Sequence, residues 1–184
     1  MLRAKRSLIY ATVLTGGILL SLLSLFSGTV DVSIPQGLQL LVASVDQKIY
    51  ITLVELRLPR IFAGFLVGGA LACSGLALQG LFRNPMAAPG VLGVSSGGAL
   101  GAILLIQFGF GSLFLTTGGA FLMALLTVLV VYWLGTRKGR TPITTLLLAG
   151  LAVGAFYTAL IGLVLSVVAP HRLNRLLFWL LGGL

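Results

Sequence analysis

RNPMAAPGVLGVSSGGALGA, residues 83–102, follows IFAGFLVGGALACSGLALQGLF, residues 61–82, an apolar run without a charge. Pro85 and Pro89 lack a backbone N–H and disfavour helix at the residue before each. Asn84 is therefore expected to open a turn at the end of one membrane span. VLGVSSGGALGAILLIQFGF, residues 91–110, is long enough to form the next. Irregular backbone at membrane depth is tolerated only where protein or a water-filled cavity covers it. Gly93, Ser95, Ser96 and Gly97 would provide that cover through close packing. The stretch thus reads as a bend, at Asn84, Pro85, Pro89, Gly93, Ser95, Ser96 and Gly97, inside a bundle of membrane helices.

The rest of the chain agrees with that reading. Of 184 residues 58% are hydrophobic and 8% charged, against about 25% charged in soluble domains. The mean hydropathy is +1.14. A span needs about 20 apolar residues to cross about 30 Å of hydrocarbon. Five such runs are expected: 8–27, 61–82, 91–110, 112–134 and 143–169. The three acids, Asp31, Asp46 and Glu55, all fall in 28–60, which reads as an external segment. Within it, Ser33 before Pro35 suggests a short helix over 35–43. Residues 171–184, HRLNRLLFWLLGGL, are too short to span and amphipathic, which suggests an interfacial helix. The fold class expected is all-α, a polytopic transmembrane bundle of about five spans with short interfacial helices.

The net charge is +9, from 12 Lys and Arg against 3 acids. The basic residues lie between the apolar runs and form no single patch, so no nucleic-acid partner is expected. They set topology instead. With the N-terminus inside, Arg3, Lys5, Arg6, Arg83, Arg137, Lys138 and Arg140 are cytoplasmic. Lys48, Arg57, Arg60, Arg172 and Arg175 are then outside, against the usual bias. Membrane lipid is the surrounding partner.

Several kinds of chemistry are disfavoured. GVSSG, residues 93–97, fits the G-x-S-x-G nucleophile elbow with Ser95. A base and an orienting acid are needed beside it, yet no acid follows Ser95, and His171 is the one histidine. An intramembrane hydrolase using Ser95 is the weaker alternative. GTRKGRT, residues 135–141, lacks Walker A spacing. No acid lies within a span, so no proton or sodium relay is expected. Cys73, the single cysteine, is a small packing residue. No catalytic residue, cofactor or bound metal is expected. Gly64 with Gly68, Gly97 with Gly101 and Gly150 with Gly154 form GxxxG pairs, which let helices approach closely.

LRLPRIFAGFLVGGALACSGLALQGLFRNPMAAPGVLGVSSGGALGA resembles the FecCD permeases of type II bacterial ABC importers, which carry iron–siderophores, haem or cobalamin. TTLLLAGLAVGAF and FWLLGGL are similar to that family's fifth span and the segment after it. The resemblance covers nearly the whole chain. It implies a multi-pass protein of the bacterial plasma membrane that takes up an iron(III)-siderophore or related chelate. By that resemblance it is not expected to be an enzyme itself. The implied partners are cytoplasmic ATP-binding subunits, an external solute-binding protein and a second permease subunit. By the same resemblance, Arg57 and Arg60 of R-L-P-R receive acidic residues of the binding protein. The fifth span lines the path and narrows near Ile143 and Thr144; Gly150, Gly154 and Thr158 lie on a face that serves either path or packing. Family permeases are much longer, so an N-terminal half is expected. A non-transporting remnant or assembly module is the alternative.

Overall fold

The computed structural model describes residues 2–28, 32–33, 46–136 and 139–182. They divide into two units, 1–69 and 70–183. The suggested helix at 35–43 lies outside the described residues, as do Arg137 and Lys138.

In the first unit, helix α1 covers Leu2–Phe26. Three of its hydroxyls are satisfied internally, as suits lipid: Thr12, Thr15 and Ser21 donate to the carbonyls of Leu8, Ala11 and Gly17 at 2.7–2.8 Å. The next helix, α2, runs over Gln47–Phe82. Asp46 caps it by accepting from the Lys48 N–H at 3.2 Å, satisfying one of the orphan donors of a helix start. The expected span 61–82 therefore begins fourteen residues earlier, and residues 47–60 of the expected external segment are helical. Pro59 does not break the helix because residues Ile51–Arg57 form a π-helical stretch, with Leu58 N–H bonded to the Leu53 carbonyl. A widened ladder carries the chain past a residue that lacks an N–H and crowds the preceding turn. At 36 residues, α2 is roughly 50 Å long. That exceeds the hydrocarbon thickness of about 30 Å, so a charged first part is compatible with an apolar second part.

The second unit begins within α2. That helix closes in a Schellman arrangement, with Asn84 N–H reaching the Gln79 carbonyl at 3.2 Å and Arg83 left-handed at φ 48°, the position usually given to glycine. Asn84 then builds the turn twice over. Its carbonyl accepts from Ala87 N–H at 3.1 Å and its Oδ1 accepts from Met86 N–H at 2.9 Å, with Pro85 supplying the fixed φ. Ala88 is extended, Pro89–Leu92 forms one 3₁₀ turn, and Gly93 at φ 72° leads into the next helix.

That helix, α3, covers Val94–Gln107. Its 14 residues reach about 21 Å, short of a full crossing. The expected span 91–110 is thus broken: Gly93 delays its start, and Gly109, at φ 89°, follows its end. Among the described residues, four helices are long and apolar enough to cross a membrane, and α3 is a shorter apolar helix. Helix α4 covers Leu113–Gly135 and α5 covers Ile143–Val167. Val168 and Ala169 are extended, so the chain leaves α5 before Pro170, which instead starts α6, Pro170–Leu180. In the expected interfacial helix 171–184, residues 181 and 182 lie past the helix end and 183–184 are not described.

Helix α3 is central to this unit. Gly101 faces α4 so closely that a Cβ there would lie 2.6 Å from the Gly119 carbonyl oxygen. Leu100 packs with Val131, Val153 and Tyr157 of α4 and α5, while Ile103 and Ile106 pack with Val168 and Leu176. Thr127 is fully buried and donates to the Met123 carbonyl at 2.7 Å. Outward-facing large apolar side chains, such as Phe114 at 92% exposure, form a surface suited to hydrocarbon.

Candidate functional site

Two places gather the residues singled out in the sequence, one in each unit. In the first, the π-helical stretch aims Arg57 at the end of α1. Its Nη1 donates to the Leu25 carbonyl at 2.6 Å, so the cation covers a carbonyl left without a helical partner and meets the negative end of the helix dipole. Gly28 makes room for it: a Cβ there would lie 2.6 Å from Arg57 Nη2. Arg60, one turn further on, is exposed. It makes no hydrogen bond or ion pair with a described residue. Both arginines line a cleft of about 360 Å³ with Ser24, Ser27, Thr52 and Leu56. R-L-P-R in the sequence shows the two charges, but it carries no sign that one of them is already engaged by α1.

In the second, the 3₁₀ turn and Gly93 lie against α5. A Cβ on Gly93 would be 2.9 Å from both the Gly150 carbonyl oxygen and the Gly154 nitrogen, and one on Gly150 would be 2.8 Å from Leu92 Cα. Backbone meets backbone here, and only glycines allow it. Gly150 and Gly154 are seven and eleven residues into α5, about 10 and 16 Å along its axis. The bend at 83–93 therefore reaches well down the length of that helix. A cleft of about 370 Å³ opens beside the notch, lined by Ser95, Ser96, Gly150, Gly154 and Thr158 among others. It joins bend residues to residues of the fifth span, which spacing in the sequence could not do. Ser96 Oγ donates to the Gly93 carbonyl at 2.9 Å and Thr158 Oγ1 to the Gly154 carbonyl at 2.8 Å. Gly150, Val153 and Tyr157 form the packed face of α5, while Thr144, Leu148, Leu151, Ala155 and Thr158 form an exposed one. Ile143 and Thr144 lie in the first turn of α5, both exposed, after Pro142 at the N-cap.

Ser95 and the helix that contains His171 lie at opposite ends of α3. Ser95 lies in the first turn of α3, whereas α6, which contains His171, packs on the other end of that helix, where Arg172 donates to the Gln107 carbonyl at 3.0 Å. Twelve residues of α3, about 18 Å, separate Ser95 from Gln107. Among the described residues, no group of three His, Cys, Asp or Glu could hold a metal ion.

Comparison with known proteins gives the family. The model of the FecCD transport family matches residues 13–184. The chain belongs to the FecCD transport family. A cobalamin import system permease protein of Halobacterium salinarum is 36% identical over 173 residues, covering 94% of this chain and 44% of the relative. A molybdate import system permease protein of Haemophilus influenzae is 33% identical, covering 90% and 51%. A hemin transport system permease protein of Yersinia pestis is 38% identical, covering 71% and 40%. Among solved structures, a chain of an ABC transporter assigned to the metal-chelate type, in an inward-facing conformation, aligns at a TM-score of 0.72 and 31% identity over 92% of this chain and 53% of that one. The chain thus spans about half the length of the relatives it matches. This FecCD chain is a multi-pass protein of the plasma membrane.

Proposed function

We propose that the chain is a permease component of an ABC importer that takes up an iron(III)-siderophore or a related metal chelate. The family match over residues 13–184 carries the proposal. The relatives named above are permeases for cobalamin, molybdate and hemin, and an iron chelate falls within that range of bulky or metal-bearing solutes. In this role the exposed face of α5, with Thr144 and Thr158, borders the path. Ile143 and Thr144 form its narrow end. Gly150 and Gly154 hold the bend in place. Arg60, with Arg57 supporting it, receives carboxylates of an external solute-binding protein. ATP-binding subunits on the cytoplasmic side and a second permease subunit complete the transporter.

Uptake decides the substrate. Cells lacking their own importers, supplied with this chain and its partner subunits, are expected to accumulate labelled iron(III)-siderophore, and not cobalamin, hemin or molybdate. Uptake of one of the latter in place of iron would overturn the substrate class. Assembly with the ATP-binding subunits but no uptake of any solute would identify an assembly module.

Orientation follows from the charge distribution, with the N-terminus cytoplasmic. Gln47→Cys and Arg140→Cys, each in a Cys73→Ala background, are expected to react with a membrane-impermeant maleimide from opposite sides. Both positions are exposed. Labelling of both from one side would sink this topology.

A further inference from the structure

The cleft at the end of α1 has a shape and a chemistry that binding-protein docking does not explain. Its polar part is lined by Arg57, Arg60, Ser24, Ser27 and Thr52. A second groove of about 370 Å³ shares Ser24 and Arg60 with it and continues along α1 and α2 past Leu20, Ile61, Gly64 and Phe65. A charged end therefore runs directly into an apolar trough. The apolar run of α1 ends at Phe26, which places the charged end where a span meets the headgroup region.

Three details favour an anion at the charged end. The Leu25 carbonyl, which would repel one, already accepts from Arg57. Arg60 then adds a cation with no partner among the described residues. The hydroxyls of Ser24 and Ser27 also donate to no described acceptor, whereas Thr12, Thr15 and Ser21 of the same helix all donate back to carbonyls of α1. The trough is open as well: a Cβ on Gly64 would meet nothing within 4 Å. Basic pockets between membrane helices hold anionic headgroups in this way.

We propose that this cleft binds an anionic phospholipid, its phosphate at Arg60, Ser24 and Ser27 and an acyl chain along Gly64 and Phe65. The proposal goes beyond the transport role and holds whether or not a binding protein docks here.

The test uses the purified chain in mixed micelles of phosphatidylglycerol and phosphatidylcholine, with retained lipid read by native mass spectrometry. Phosphatidylglycerol is expected to be retained over phosphatidylcholine. Arg60→Gln lowers that preference about fivefold, the value of one basic residue near an anionic surface. Ser24→Ala with Ser27→Ala lowers it at least about fivefold, through two lost hydrogen bonds. Gly64→Leu fills the trough, leaves every charge in place and also lowers retention. Arg60→Lys keeps the charge and most of the preference, and together with unchanged helical circular dichroism it shows that the variants remain folded. Lys48→Gln, outside the cleft, has no effect. Wild-type retention by Arg60→Gln and Gly64→Leu would overturn the proposal. So would an equal loss in Lys48→Gln, which would indicate a diffuse basic surface. Displacement of phosphatidylglycerol by millimolar inorganic phosphate would replace the lipid with a free anion and likewise overturn it.

Discussion

Gly93→Ala is expected to destabilise the second unit strongly, because one methyl meets two separate penalties. Gly93 holds φ at 72°, where an L side chain costs about 1–2 kcal/mol. The new Cβ would also lie 2.9 Å from the Gly150 carbonyl oxygen and from the Gly154 nitrogen. These are backbone atoms of α5 and cannot swing aside, so overpacking adds about 1–3 kcal/mol. The sum, about 2–5 kcal/mol, is a large share of a typical stability of 5–15 kcal/mol. Unfolding in mixed micelles with rising dodecyl sulfate should show it as a shifted midpoint. Gly68→Ala is the control, since nothing lies within 4 Å of its Cβ, and its midpoint should not fall. If Gly93→Ala and Gly68→Ala unfold together, the notch between the bend and α5 does not hold the second unit together.

Arg60→Glu is expected to weaken binding of the solute-binding protein about a hundredfold or more, because like charges set opposite each other at an interface cost several kcal/mol. Arg60→Ala should act differently, slowing association and flattening its dependence on salt, since a screened attraction has been removed. Arg57 is the informative comparison. Its guanidinium donates to the Leu25 carbonyl at 2.6 Å, so Arg57→Ala should lower stability by about 1.5–3 kcal/mol, the value of a charged hydrogen bond, and leave the salt slope closer to wild type. Nanodiscs of phosphatidylcholine keep anionic lipid from competing for Arg60 in these measurements. ATP-binding subunits should associate normally with both variants. If Arg60→Glu binds the solute-binding protein with wild-type affinity at low salt, Arg60 is an interfacial anchor and docking lies elsewhere.

The membrane class and the helical fold follow from the sequence by itself. Hydropathy is a sum over neighbouring residues, and no distant contact is needed to keep a chain with 8% charge in hydrocarbon. Asn84, Pro85, Pro89 and Gly93 likewise act locally: a missing N–H, a side-chain acceptor and a tolerated positive φ shape the turn wherever the chain goes next. Pro59 marks the limit of such local rules. It signals a helix boundary, but a π-helical stretch over Ile51–Arg57 carries α2 through it, and Lys48, Glu55 and Arg57 lower the hydropathy without ending the helix.

Tertiary structure decided the rest. Gly150 and Gly154 look alike as a packing row or a path-lining face, and only the arrival of Leu92 and Gly93, some 60 residues earlier in the chain, makes them a notch. Arg57 and Arg60 are equal charges in R-L-P-R until the end of α1 takes one of them and leaves the other exposed. In both cases the deciding partner is a backbone atom. Every residue supplies the same backbone atoms, so no pattern of side chains announces which carbonyl or which Cα will be met, and only the folded chain brings that one into reach.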